Sequence, residues 1–214
     1  MPTSHSQQLN EIVELIVLIN PRSILDVGVG FGKYGFLSRE YLDLRDGREE
    51  LGDWKRSIDG IEAFKGYLTP VHDYIYDHIY VGNAVEILPT LEKNYDLILL
   101  IDILEHLNRN EGIKILRESE KRGRNIIVST PKSIASQKSS FRNPFEVHRS
   151  QWTYTDFDSF TNRFFIPNYN SIICYIGDDA LKLKKALRRS RFGSRIGRLF
   201  PFFKIPDKFL GKIG

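Results

Sequence analysis

Apolar residues at Leu9, Ile12, Val13, Ile16, Val17 and Ile19 recur at the spacing of one helical face, which predicts an amphipathic helix over residues 7–19. Asn20-Pro21 ends it, because proline cannot extend the helical ladder and restricts the residue before it. Ser23 to Val27 is a short, mainly apolar run stopped by Gly28, the pattern of a buried strand. Helical spacing returns from Lys33 to Leu44 through Tyr34, Leu37 and Tyr41, and the charged stretch 45–56 predicts a surface excursion. A strand follows over Ser57 to Ala63, then a helix over 66–78 with Pro70 near its start, a short strand at Tyr80-Val81 and a short helix from Val85 to Leu91. Tyr95 to Ile101 carries the strongest strand pattern, a continuous apolar run broken only by Asp96, as in a strand covered on both faces. A helix over Ile103 to Lys121, a strand over Asn125 to Ser129, a polar loop over Lys132 to Arg149, a helix over Thr155 to Asn162 and two closing strands, Phe164 to Ile166 and Ser171 to Ile176, complete the pattern. Strand and helix alternate from residue 22 to about 130. That alternation predicts an α/β fold, a doubly wound and mostly parallel sheet with right-handed crossovers and helices on both faces.

Composition fits this picture. The chain has 214 residues, 41% hydrophobic and 27% charged, enough to bury a core without disulfides. Its one cysteine, Cys174, sits in the run Ile172-Ile173-Cys174-Tyr175-Ile176 and reads as a buried thiol in a reducing compartment. No secretory signal pattern is present, and the apolar runs Ile12–Ile19 and Leu97–Leu104 fall short of the roughly 20 residues of a membrane helix, so a cytoplasmic location is expected.

Charge divides the chain in two. Residues 182–214 hold eleven Lys or Arg and one acid, a net +10; against +4 for the whole chain, residues 1–181 carry −6. The expected organisation is a domain over 1–181 and a basic amphipathic tail over 182–214. An acidic body opposes nucleic-acid binding over its surface, so an anionic partner is expected at the tail. There Lys and Arg alternate with Phe192, Phe200, Phe202, Phe203 and Phe209. Three readings stand: a peripheral contact with an anionic membrane, RNA binding by charge and stacking, or a helix pair packed on the domain.

The candidate chemistry begins at Asp26-Val27-Gly28-Val29-Gly30-Phe31-Gly32. Glycines between a strand and a helix permit a sharp turn and let a ligand approach the backbone. Lys33 occupies the place of the last glycine in a dinucleotide fingerprint, which turns the loop away from a pyrophosphate and toward S-adenosylmethionine (SAM). SAM carries no phosphate, and Asp26 can serve its positive charge. Glu62, ending the second strand, stands where a carboxylate meets ribose hydroxyls, and Asn83-Ala84 follow the third strand, where an adenine edge lies.

These segments resemble the class I SAM-dependent methyltransferases. The glycine loop looks like the family's first motif, with Asp26, Gly28, Gly30 and Gly32; Glu62 matches its second-strand acid. Gly82-Asn83-Ala84 stands where the family usually has Gly-Asp-Ala, and Tyr95-Asp96-Leu97-Ile98 resembles the start of its fourth-strand motif. The resemblance covers about residues 20–180. It implies a seven-stranded sheet whose last pair includes an antiparallel strand, SAM as cofactor, and methyl transfer to an oxygen or nitrogen of a small-molecule, glycan or lipid-linked acceptor.

Asp102-Ile103-Leu104-Glu105-His106 follows the fourth strand, and Glu146-Val147-His148-Arg149-Ser150-Gln151-Trp152 lies far downstream. A helical start at Asp102 would turn Asp102, Glu105 and His106 toward one point, for acid–base work or a divalent cation. The pattern is similar to two methyltransferase groups, the ubiquinone-pathway O-methyltransferases and the small-RNA 3′-end 2′-O-methyltransferases, whose matching residues hold a magnesium-like ion. That similarity implies Asp102, Glu105, His106 and His148 as ligands of Mg²⁺ or Mn²⁺, with Asp102 replacing those groups' glutamate. Without a metal, Glu105, His106 and His148 remain the candidate catalytic groups, and purely structural roles for them also stand. An RNA 2′-O-methyltransferase and a non-catalytic nucleotide-binding module are the alternative functions.

Overall fold

The computed structural model describes residues 4–44, 53–133 and 142–199, with side chains to Ser190. Seven strands form one sheet in the order β3-β2-β1-β4-β5-β7-β6: β1 (Ser23–Val27), β2 (Ser57–Glu62), β3 (His78–Val81), β4 (Tyr95–Ile101), β5 (Gly123–Pro131), β6 (Arg163–Ile166) and β7 (Ser171–Gly177). β1 to β5 run parallel, and β7 is antiparallel to both β5 and β6. This is the expected sheet, including its antiparallel close.

β4 shows why the apolar run had to be central. Side chains alternate across a strand. Leu97, Leu99 and Ile101 join the core on one face, and Ile98 and Leu100 join the core on the other. The first core packs under α1 (Leu9–Ile19), α2 (Lys33–Ser38), α3 (Pro70–Ile75) and α6 (Ala180–Leu199). The second packs under α4 (Ala84–Ile87), α5 (Arg109–Arg122) and the segment holding Trp152 and Phe157. Cys174 is fully buried in the second core, and burial pushes its thiol up to about 12.

The structure departs from the predicted elements where side chains override periodicity. The helix expected over Ile103 to Lys121 is broken. A 3-10 turn spans Leu104–His106, and α5 starts only at Arg109. Asn108 causes the break: its Oδ1 accepts from Glu111 N at 3.0 Å while Glu111 Oε2 accepts from Asn108 N at 3.0 Å. The helix expected from Lys33 to Leu44 ends at Ser38 and continues as a π-helical turn over Arg39–Asp43. There the buried Arg39 guanidinium binds Asp43 (3.0 Å) and Asp77 (2.9 Å). The segment 66–78 shortens to Pro70–Ile75, with Pro70 at the first helical position. The helix expected over Thr155 to Asn162 is a single 3-10 turn, Tyr154–Phe157. Most of the excursion 45–56 and part of the loop 132–149 lie outside the described residues.

The basic segment begins as part of α6, which starts at Ala180 and buries Leu183 and Leu187 in the first core. Lys182, Lys184, Lys185, Arg188 and Arg189 face solvent. Residues 200–214 lie outside the described residues. No helix among the described residues is long and apolar enough to cross a membrane.

Asn108→Ala removes the side-chain acceptor for Glu111 N at the start of α5 and leaves only the backbone half of the reciprocal pair. The expected loss is about 1 kcal/mol of unfolding free energy in a urea titration, restored by Asn108→Asp. An unchanged midpoint would show that the cap does not hold the break.

Candidate active site

The carboxyl ends of β1, β2 and β4 open into one cleft. Parallel strands put their C-terminal loops on the same edge, so the topology itself gathers the predicted residues. Asp26, Gly28, Gly30, Glu62, Asn83, Ala84, Asp102 and His106 all line the cleft. Gly32 caps α2 behind the loop, while Glu105 and His148 sit beside His106 and outside the lining.

The loop after β1 turns through three positive φ angles: 80° at Gly28, 55° at Gly30 and 80° at Gly32. A side chain at Gly28 would be strained by the left-handed backbone and would displace Ile103, whose Cδ1 lies 1.9 Å from an added Cβ. Gly30 is held from two sides. Its N–H donates to Glu62 Oε2 at 2.8 Å, and its C=O lies 3.0 Å from His72 Nε2. His72 Nδ1 accepts from Thr69 N at 3.0 Å, which leaves the proton on Nε2 and makes that nitrogen the donor to Gly30. Glu62 Oε1 accepts from Phe64 N at 2.8 Å, so the carboxylate that the sequence offered to a ribose also fixes the loop. Asn83 Oδ1 accepts from Val85 N at 3.0 Å and caps α4; the asparagine in the acid's place is thus partly a cap.

Burial dominates the electrostatics. Asp26 is 3% exposed and accepts from Tyr76 OH at 2.7 Å. Loss of water pushes its pKa up to about 7, against the lowering effect of the Tyr76 bond. Burial also raises Glu62 and Asp102, with the loop amides and the Ser129 hydroxyl pulling back.

At the end of β4, Asp102 adopts a left-handed conformation, φ 53°, an uncommon state for a residue with a Cβ. Its carboxylate accepts from Ser129 Oγ at 2.8 Å and from Gln8 Nε2 at 2.6 Å. The expectation that Asp102 joins Glu105 and His106 at one point therefore fails. No helix starts at Asp102, and these two bonds hold its carboxylate apart from the cluster. The donor atoms that meet are those of Glu105, His106 and His148, all within 4.8 Å of one another.

That meeting is built by the backbone. Glu105 O accepts from Arg149 N (2.7 Å) and Ser150 N (3.2 Å), and Leu104 O accepts from Trp152 Nε1 (3.0 Å). Three residues of the downstream segment, Arg149, Ser150 and Trp152, are thereby stapled to the 104–107 turn. The staple brings the His148 ring to 5.0 Å from the His106 ring, centroid to centroid. Glu105 is 1% exposed and accepts from Thr130 Oγ1 at 3.1 Å; burial and the nearby Asp102 charge hold its pKa well above the carboxylate range. Burial lowers His106, so its imidazole is neutral near pH 7, and its Nδ1 is buried without a hydrogen-bond partner among the described residues.

Gln8, His72 and Tyr76 were not singled out by the sequence as site residues. The Thr69-Pro70-x-His72 spacing does signal a capped helix start, but nothing local marks Gln8 or Tyr76, whose partners are 94 and 50 residues away.

The Asp26 shift has a measurable sign. A raised folded-state pKa means the protonated form favours folding; that contribution is complete below about pH 4 and is lost as pH rises to about 7. Asp26→Asn lacks this titration. Its unfolding free energy relative to the parent should climb by up to about 1.4 kcal/mol per pH unit between those limits and level off above. A difference flat from pH 4 to pH 8 would refute the buried, proton-holding carboxyl.

No family model matches the chain, and no curated protein does. Solved structures do. The methyltransferase domain of bacterial CtHen1 is 18% identical, with 80% of this chain and 98% of that one covered and a TM-score of 0.54. The N-terminal domain of EvdMO1, crystallised with S-adenosylhomocysteine (SAH), is 14% identical over 80% of this chain and 82% of that one, TM-score 0.55. An O-methyltransferase family protein from Burkholderia thailandensis is 12% identical over 81% of this chain, TM-score 0.53; the chain spans only 56% of its length. The fold of this chain is that of the class I SAM-dependent methyltransferases.

Proposed function

We propose that the chain is an enzyme that transfers a methyl group from SAM to an oxygen, or a nitrogen, of a small-molecule, glycan or lipid-linked acceptor. The observation that carries this reading is the clamp on Gly30. A loop of three left-handed glycines, tied to the second-strand acid, opens one cleft with Asp26, Asn83 and His106. Glu62 keeps lone pairs for ribose hydroxyls, and the acids of the cleft suit a sulfonium rather than a pyrophosphate. The SAH bound by the EvdMO1 domain, which shares the fold, supports the same cofactor.

The sulfonium methyl is already electrophilic, so the protein's work is alignment and removal of the acceptor's proton. His106 suits the second task. It lines the cleft, burial keeps it neutral, and its partner ring at His148 is fixed by the backbone staple. The same group fits a divalent ion. Glu105, His106 and His148 supply one carboxylate and two imidazoles within 4.8 Å, and the buried, unpartnered His106 Nδ1 offers a lone pair or a proton with no other taker among the described residues. Two nitrogen donors favour Mn²⁺ over Mg²⁺. A bound ion would supply Lewis-acid lowering of the acceptor hydroxyl's pKa. The carboxylates of Asp26, Glu62, Asp102 and Glu146 line the cleft against a polyanion, which weighs against RNA as acceptor. The exposed lysines and arginines of α6 favour an acceptor held at an anionic membrane surface.

SAM and SAH should each bind once per chain in calorimetry; absence of both signals at about millimolar ligand overturns the reading. With tritiated SAM and fractionated cell extract, label should appear in glycan or lipid fractions, and nuclease-sensitive label would point to RNA instead. His106→Ala should lower the transfer rate about 100-fold and leave SAH affinity within about twofold.

Manganese binding is read separately, by electron paramagnetic resonance. The parent should hold one Mn²⁺ and His148→Ala none, with SAH binding intact in both. A parent that takes up no ion dismisses the metal.

A further inference from the structure

We infer that Lys33 is the anchor for the carboxylate at the amino-acid end of SAM, an inference that rests on the cofactor reading above. That end of the molecule carries both an ammonium and a carboxylate. A zwitterion taken from water needs a partner for each charge. The cleft is rich in one partner and poor in the other. Asp26, Glu62, Asp102 and Glu146 offer carboxylates, whereas Lys33 is the one ammonium or guanidinium among the described residues that line it.

Lys33 stands directly after the glycine loop, half-buried, as the first residue of α2. Its Nζ donates to Ser4 O at 2.8 Å and Ser4 Oγ at 3.1 Å. Both are neutral acceptors, and no carboxylate among the described residues is ion-paired with it. Burial lowers its pKa while Asp102 supports its charge. A half-buried ammonium with only neutral hydrogen-bond partners gains more from an incoming carboxylate than one already paired. The Ser4 hydroxyl, which donates to Tyr34 OH at 3.1 Å, lies on the same wall and lines the cleft with it. The lysine that displaces the last glycine of a dinucleotide fingerprint thus gains a positive role: it selects a ligand with a carboxylate in place of one with a pyrophosphate.

Calorimetry with three ligands tests this on the whole chain: SAH, its decarboxylated counterpart, and 5′-methylthioadenosine, which lacks the amino-acid end. The parent should prefer SAH to the decarboxylated compound about tenfold or more. Lys33→Met should lose about that factor on SAH and less than about twofold on the other two, whereas Lys33→Arg keeps the preference. Ser4→Ala, which removes the hydroxyl contact and keeps the Ser4 O bond, should leave the preference within about twofold; a preference lost with that hydroxyl overturns Lys33 as the anchor. Equal weakening of all three ligands by Lys33→Met, or a preference that survives it, overturns the anchor. So does a parent with no preference, a result that holds even if the variants fail to fold. A parent that binds none of the three overturns the cofactor reading and the anchor with it.

Discussion

Gly30 cannot move without breaking two long-range bonds. Its N–H is taken by Glu62, 32 residues on, and its C=O by His72, 42 residues on. The clamp ties the carboxyl end of β1 to the carboxyl end of β2 and to the first turn of α3. A loop with three left-handed glycines loses more backbone freedom on folding than one whose residues all carry a Cβ. Hydrogen bonds to charged groups, worth about 1.5–3 kcal/mol each, offset that loss in a buried setting. The rest of the cleft follows from the same fixed point. Ile103 packs into the space that Gly28 leaves by having no side chain, so the chain leaving β4 is guided by the loop leaving β1. Tyr76 reaches Asp26 from the end of α3, the helix whose His72 holds Gly30.

The clamp concentrates carboxyl groups where water is scarce. Burial raises Asp26, Glu62, Asp102 and Glu105 together, and none of the four has a lysine or arginine partner within ion-pair distance among the described residues. Amide N–H groups, hydroxyls and one glutamine do the work that cations do elsewhere in the chain, as at Arg39 with Asp43 and Asp77. The contrast divides structural charge from chemical charge. Arg39 and its partners close a corner of the first core, whereas these acids are held by neutral donors and raised in pKa by burial.

The sheet was legible because its cause is local. A strand buried on both faces must be apolar at successive positions, and Tyr95–Ile101 announces this by itself. Glycines with positive φ, such as Gly28 and Gly32, are equally self-announcing, since few other residues tolerate the turn. Helix limits were less legible. The break after His106 depends on a reciprocal bond between Asn108 and Glu111, a spacing present in the sequence but weaker than the apolar period that runs through it. The cluster of acid and imidazoles was half legible. Glu105, His106 and His148 come together as their pattern implied, but Asp102 does not, because Gln8 and Ser129 arrive from α1's N-terminal side and from β5 to hold it. No local rule names partners 94 and 27 residues away.

Those distant partners give the N-terminal segment a part in the site that its sequence conceals. Ser4 and Gln8 belong to no strand of the sheet, yet Ser4 lines the cleft and Gln8, fully buried, holds Asp102 in its left-handed turn. The segment lies over the ends of β1 and β4 like a strap whose fastenings are Lys33 and Asp102, one on each wall. Both fastenings are polar groups of the kind a charged ligand competes for. A strap fixed by apolar packing would share no group with the cleft; this one is fixed by an ammonium and a carboxylate that line it. The placing of residues 4–8 and the charge on the cleft walls thus rest on the same two side chains.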